Sequence, residues 1–348
     1  MPIVVNKGAG IEQQLKLNAK LNSLIPLLLK VPKPFSMRSL SQKQLFKSTL
    51  LPLLALPLLA DQPKTSPKLP VQKGLFLDLN ANHGVETEDG NHIHTWRNQI
   101  TDNKADLFVK QDKGRKVAGS GRPTLKKEVA AIGGHNTIVF AEQELINMDE
   151  DAFDHMVTGS GYTWFSIMSV DKQNVGKKDV NSFFGNLRNG NPYEGFWGNL
   201  MDDNRVWMGT RNGLRSQAKK TKEKRKKPNL WDEKLNPLVV TPQPLSEKRY
   251  YLIMGRMGAG KNIVNLELFV NSPEPVDKKT VPVNPKANPS KMAIGQERDA
   301  TNHPGLESFH GEIARFLIYD RPLSDEELLN NIQNLTQLYQ IKTFSDEK

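Results

Sequence analysis

Roughly every ten to twenty residues between positions 75 and 319 the chain breaks at a turn signal, and the stretches between are short, apolar and rich in β-branched and aromatic residues. Runs at 75–79, 93–96, 137–140, 163–170, 182–184, 206–209, 250–254, 264–270, 291–294 and 312–319 read as strands. Strands this short bury an apolar face only by joining a sheet and stacking it on a second one, so the pattern predicts a sandwich or barrel. The 25 Gly and 22 Pro supply the turns.

Helix is expected at one place. Ser324 followed three residues later by Glu327 forms a capping box, in which each side chain satisfies a backbone amide that a helix start leaves unpaired. Leu328, Leu329, Ile332, Leu335, Leu338 and Tyr339 follow at helical spacing, which gives the helix one face to lay on the sandwich.

The chain of 348 residues carries a formal net charge of +10, unevenly distributed. Residues 1–60 hold eight Lys/Arg against the single acid Glu12, and 211–227 hold nine against Glu223. The rest of the chain is mildly acidic, so a general affinity for nucleic acid is not implied. There is no cysteine, which excludes disulfides, thiolate metal sites and a cysteine nucleophile.

Around Met37 a basic stretch (Arg38, Lys43, Lys47) precedes an apolar run at 49–59 and then Ala60, the layout of a secretory signal peptide. The run contains Pro52 and Pro57 and falls short of the about twenty residues a membrane-spanning helix needs. Residues 1–36 then read as an upstream extension from a start placed too early, 37–60 as the signal, and 61–73 as a Pro-rich extended linker. The domain is expected at 74–342, followed by a tail at 343–348. The expected location is the periplasm, the cell surface or the extracellular space, with membrane contact only through the transient signal.

The segment at 309–341, FHGEIARFLIYDRPLSDEELLNNIQNLTQLYQI, resembles the closing strand and helix of bacterial laminin-G-like domains in the concanavalin A-like lectin/glucanase superfamily. That family ends in an aromatic-x-Gly-Asp/Glu-Ile strand, a Tyr-Asp-Arg turn, a Leu-Ser-x-Glu-Glu helix start and a final Tyr. Residues 75–96, LFLDLNANHGVETEDGNHIHTW, are similar to its opening strand and Asp-Gly…Trp turn, and 121–125 with 137–140 to its next connection. The stretch 211–249 departs from the pattern and reads as a basic insertion. The resemblance implies an all-β, two-sheet antiparallel jelly-roll β-sandwich with a short C-terminal helix, used for carbohydrate or protein binding. Relatives of this fold bind calcium through carboxylates and carbonyls, although no ligand maps onto a position here; no other cofactor is expected.

Gly255, Gly258, Gly260, Lys261 and Asn262 nearly spell a phosphate-binding loop, but Asn262 stands where a magnesium-binding hydroxyl is needed and a strand pattern follows, so a hairpin loop is expected. His92 and His94, two apart on one side of a strand, with Asp89 just before, could offer metal ligands; the plain alternative is a turn beside two exposed histidines. The acidic cluster Asp149, Glu150, Asp151 and Asp154 does not fit the spacing of the family's catalytic carboxylates, so no enzyme is expected. Lys219, Lys220, Lys222, Lys224, Arg225, Lys226 and Lys227 could grip an anionic polysaccharide, or form a solvated loop. Trp197 and Trp231, beside turn residues, are the tryptophans expected to be exposed for sugar stacking. A carbohydrate-binding module with a glycan or cell-surface partner is the leading expectation. The alternatives are a protein-interaction, adhesion or structural domain and, behind these, a glycoside hydrolase or other polysaccharide-processing enzyme.

Overall fold

A computed structural model describes residues 68–110, 121–173, 178–188, 193–214, 233–297 and 307–342, all within the unit Pro63–Lys348. The upstream extension, the signal-like segment, the basic run at 219–227, Trp231 and the tail at 343–348 lie outside the described residues.

The strands in chain order are β1 (Leu75–Asn80), β2 (Val85–Thr87), β3 (Ile93–Arg97), β4 (Leu107–Val109), β5 (Thr124–Val129), β6 (His135–Ala141), β7 (Leu145–Asn147), β8 (Tyr162–Val170) and β9 (Asn181–Gly185). There follow β10 (Glu194–Leu200), β11 (Val206–Asn212), β12 (Leu238–Val240), β13 (Tyr250–Met257), β14 (Ile263–Val270), β15 (Pro275–Pro282), β16 (Ala293–Ile294) and β17 (His310–Tyr319), then the helix α1 (Asp325–Leu338). Among the described residues they form two sheets. One has eight strands in the order β15-β14-β13-β8-β17-β6-β5, with β1 added along the end of β17; the other has nine, β12-β11-β10-β9-β16-β7-β4-β3-β2. Every ladder between these strands is antiparallel. The all-β two-sheet sandwich with a C-terminal helix is therefore observed.

The inner faces meet in one apolar core. Along β8, Tyr162, Trp164, Met168 and Val170 enter it, while Phe165 and Ile167, at the alternate positions, enter a second cluster on the outside of the eight-stranded sheet. β13 alternates the same way, with Tyr251, Ile253 and Met257 inward and Tyr250, Leu252 and Met254 outward. β17 does so with a bulge between Ile313 and Arg315, which places Ala314 and Arg315 one after the other on the outer side.

The outer cluster exists because α1 covers it. Leu328, Ile332, Leu335 and Tyr339 are buried there, each fully buried Leu or Ile stabilising the fold by about 1.5–3 kcal/mol. The expected capping box is present: Ser324 Oγ accepts from the Glu327 amide at 3.2 Å, and Glu327 Oε2 accepts from the Ser324 amide at 3.0 Å. Arg321 clamps Glu327 through both nitrogens, at 2.7 and 2.8 Å, and reaches back to the Lys73 carbonyl. Beneath the helix a buried ion pair joins the two ends of the domain, Arg315 donating to Asp78 at 2.8 and 2.6 Å. The outward-facing arginine that the bulge creates is thus held by β1.

Several expectations need correction. The domain begins before Gly74: Leu69 and Val71 are already buried in the outer cluster, and the Tyr319 hydroxyl donates to the Val71 carbonyl at 2.9 Å. An extended Pro-rich segment can still dock its apolar side chains. The stretch 211–249 is not wholly an insertion, since Arg211 and Asn212 finish β11, and 238–240 form the edge strand β12. The run expected at 291–294 pairs only at Ala293 and Ile294. β2, β4, β5, β7, β10, β12 and β15 carried no clear run; three residues are too few to show a period, and glycines interrupt β10. The glycine-rich segment after Met257 is the expected hairpin turn between β13 and β14. Among the described residues no helix is long and apolar enough to cross a membrane.

Candidate functional site

Trp197 is a packing residue and not an exposed platform. It points from β10 to the outer side of the nine-stranded sheet yet is 1% exposed, edge-on to Trp207 with ring centroids 5.8 Å apart. Its slot is cut by Gly209 on the neighbouring strand, where a Cβ would come within 2.7 Å of the indole. Arg211 lies over it at 5.3 Å and over Tyr193 at 5.2 Å. Of this cluster Tyr193 is the ring that remains half-exposed. Two glycines beside Trp197 signal a turn in one dimension; between paired strands Gly198 instead makes room for the rings of Phe183 and Phe184, and Gly209 on the next strand makes room for the indole.

His92, His94 and Asp89 do not converge on a metal. Asp89 accepts from the amides of Asn91 at 3.0 Å and His92 at 2.7 Å and sits 2.5 Å from His92 Nδ1, contacts that hold its carboxyl far below the usual range. His94 faces another carboxylate, Glu88, at 3.7 Å, which Arg122 shares at 3.0 Å. Asp89 therefore spends its lone pairs on a turn. Among the described residues no group of three or more His, Asp or Glu is placed to hold a metal ion.

One end of the sandwich collects a different set. The connection from β7 to β8 is anchored by buried Ala152, Phe153, Met156 and Val157, and Asp154, between two of these anchors, is carried to the rim. Arg188, just past β9, sits 2.8 Å from Glu150 Oε1 and donates to Asn288 Oδ1 at 2.9 Å and the Pro289 carbonyl at 2.6 Å. Glu194 opens β10 against Gly213, where a Cβ would meet Glu194 Oε1 at 2.5 Å. Gly213, at φ +71°, is thus needed both for the turn and for the space.

These groups share an electrostatic field. Burial pushes the Asp154 carboxyl up to about 6, and the charges of Asp151, Glu150 and Glu194 push the same way against the pull of Arg188. Asp154 Oδ1 is buried without a hydrogen-bond partner among the described residues. Burial raises Glu194 as well, opposed by a backbone hydrogen bond from Asn288 and by Arg188. A carboxyl that is part protonated near neutrality, ionised carboxylates, one guanidinium and the neighbouring Tyr193 ring can donate to, accept from and stack against a polyol. The acidic run was visible in the sequence. Arg188 and Glu194 were not, because nothing local ties them to residues about forty positions upstream.

No protein-family model matches the chain, and no curated protein matches it. Among solved structures it is similar to a Trypanosoma rangeli sialidase in complex with sialic acid, at 13% identity and a TM-score of 0.42 over 76% of this chain and 33% of that one. The chain spans about a third of the length of that sialidase. It is also similar to the CBM40 of a Ruminococcus gnavus IT-sialidase bound to alpha2,3 sialyllactose, with 17% identity, TM-score 0.35, and 49% and 80% of the two chains covered. A heptameric SAP-like pentraxin from Limulus polyphemus matches at 13% identity and TM-score 0.31, over 49% of this chain and 68% of that one. Overlaps at these TM-scores are too loose to argue from; the two-sheet sandwich stands on its own strand pairings.

Proposed function

We propose that this chain is an exported, non-catalytic carbohydrate-binding module of the concanavalin A-like, laminin-G-like kind. One observation carries the reading: the half-exposed Tyr193 ring, steadied by Arg211, adjoins a rim where Arg188, Glu150 and Asp154 offer charged donors and acceptors. Sugar sites of this type use an aromatic face against the ring and charge-assisted hydrogen bonds to its hydroxyls. The resemblance of 309–341 to laminin-G-like domains and the signal-like segment at 37–60 support the family and the export.

The test is a glycan array probed with the full chain, with and without calcium, beside Tyr193→Ala and a variant whose 219–227 run is replaced by Gly and Ser. Binding lost in Tyr193→Ala supports the rim. Loss only in the Gly/Ser variant moves the site to the basic run, and calcium dependence adds a metal. Silence across the array overturns the glycan reading in favour of a protein-interaction or adhesion role. A second reading, glycoside hydrolysis, is favoured by Asp154 alone, whose value of about 6 suits a general acid. Release of reducing sugar from a bound glycan, abolished in Asp154→Asn, would establish it.

A further inference from the structure

The connection from β7 to β8 crosses the open end of the sandwich, and its consecutive residues Asp154 and His155 face different sheets. Asp154 feels the charges of Arg188 and Glu194, beside the ends of β9 and β10 in the nine-stranded sheet. His155 meets the eight-stranded sheet instead. Its ring stands edge-on to Phe76 of β1, with centroids 5.4 Å apart, and its Nε2 lies 4.0 Å from Asp320 Oδ2, just past β17. Building on the glycan reading of the rim, we propose that Phe76, His155 and Asp320 form a second sugar subsite, so that the glycan bound beside Tyr193 is an extended chain running across the connection and not a single terminal residue.

The three residues are fixed through their backbones while their side chains stay unspent. The Phe76 carbonyl accepts from the side chains of Asn98 at 3.0 Å and Asn103 at 2.9 Å, and its ring packs on Phe153 at 5.5 Å yet stays partly exposed. The His155 carbonyl accepts from the hydroxyls of Ser160 at 2.8 Å and Thr158 at 3.3 Å. The π-type turn that follows, Met156–Ser160, is pinned to the β13–β14 hairpin by the Gly260 amide, which donates to the Gly159 carbonyl at 2.9 Å. The Asp320 amide donates to the Gly74 carbonyl at 2.9 Å. Among the described residues neither the His155 ring nor the Asp320 carboxylate makes a hydrogen bond, and the two side chains are 43% and 39% exposed. The adjacent Arg321 is held by Glu327 and the Lys73 carbonyl. Burial keeps the imidazole below its usual range against the pull of Asp320, so near neutrality it is an uncharged donor and acceptor. A separation of 4.0 Å is too long for a direct hydrogen bond. One sugar hydroxyl spans it, donating to Asp320 and accepting from Nε2–H, while the apolar face of the same sugar lies on Phe76. Rigid backbones under free side chains are what a preorganised subsite requires.

The experiment titrates the full chain by calorimetry with cello-, xylo-, manno- and chito-oligosaccharides of two, four and six units. Wild type should bind the six-unit chain of its preferred series about tenfold more tightly than the two-unit one, because the first subsite holds the chain at high effective concentration for the second. His155→Ala and Asp320→Asn, both at exposed side chains, should each shrink that gain and together abolish it. Tyr193→Ala should weaken every length, and Gln333→Ala on the exposed side of α1 should change none. A gain with length that survives in the double variant, or equal binding of two and six units by wild type, overturns the second subsite and leaves the rim standing. Loss at every length in the double variant moves the whole site to His155 and overturns the two-subsite arrangement. Silence for every series overturns it as well, and the glycan array decides separately whether the rim binds a glycan at all.

Discussion

The two sheets share their inner faces and differ in what they do with their outer ones. On the eight-stranded sheet a second apolar cluster lies under α1, with the charged side chains around it in ion pairs: Arg315 with Asp78, Arg321 with Glu327, Arg256 with Glu267 and Asp325. On the nine-stranded sheet the outer apolar cluster shrinks to Leu187, Trp197 and Trp207 with a few half-buried neighbours, and the adjoining rim holds the Asp154 carboxyl, one oxygen of which is buried without a hydrogen-bond partner among the described residues. Two carboxyls record the contrast. The Arg321 clamp lowers Glu327 to about 2, whereas burial raises Asp154 to about 6. One region is built for stability; the other keeps a carboxyl in a state that costs stability, as binding and catalytic sites do.

The largest test of that contrast is the buried ion pair. Asp78→Ala strands the Arg315 guanidinium, 2% exposed, and should cost about 3–5 kcal/mol in urea unfolding. Arg188→Ala at the rim, whose partner Glu150 reaches water, should cost under about 1 kcal/mol. Equal costs would erase the distinction between the two regions. Next, Leu328→Ala beneath α1 should lower stability by about 2–5 kcal/mol. Ser324→Ala, which removes one side of the capping box, should cost about 1 kcal/mol by thermal or denaturant unfolding.

The smallest effect separates the regions by sign. Glu327 has a folded value below its ordinary 4.5, so its contribution is complete above pH 4.5 and is lost as pH falls towards about 2. Asp154 has a folded value above its ordinary 3.8, so the native state keeps a proton the unfolded chain releases, and stability declines as pH rises from about 4 to about 6. Asp154→Asn should therefore stabilise the protein at pH 7, by less than about 1 kcal/mol at a half-buried site that solvent partly screens, with no gain at pH 4. Stabilisation of equal size at both values would refute the raised carboxyl.

Much of the eight-stranded sheet was legible before the fold was known. β8, β13, β14 and β17 are long enough for their alternation to show; β8, β13 and β17 bury two apolar rows, and β14 buries one, Val264, Leu266, Leu268 and Val270. The nine-stranded sheet was harder to read because β2, β4, β7 and β12 have three residues each, and because β10 substitutes glycine where neighbouring rings need space. The candidate rim was half legible. The acids at 149–154 stood out as a cluster, but their significance depends on Arg188 and Glu194, which strand pairing alone brings to them.

The sequence by itself determined the all-β class, the capped C-terminal helix with its apolar face, and the hairpin after Met257, because caps, turns and periodicity arise among residues a few positions apart. Tertiary structure decided that Trp197 is buried, that Asp89 and His92 lock a turn, and that Leu69 and Val71 belong to the domain. It also decided that Phe76, His155 and Asp320 meet at one end of the sandwich. Burial and electrostatic environment are properties of the neighbours across a sheet, and a strand's own residues do not specify who those neighbours are.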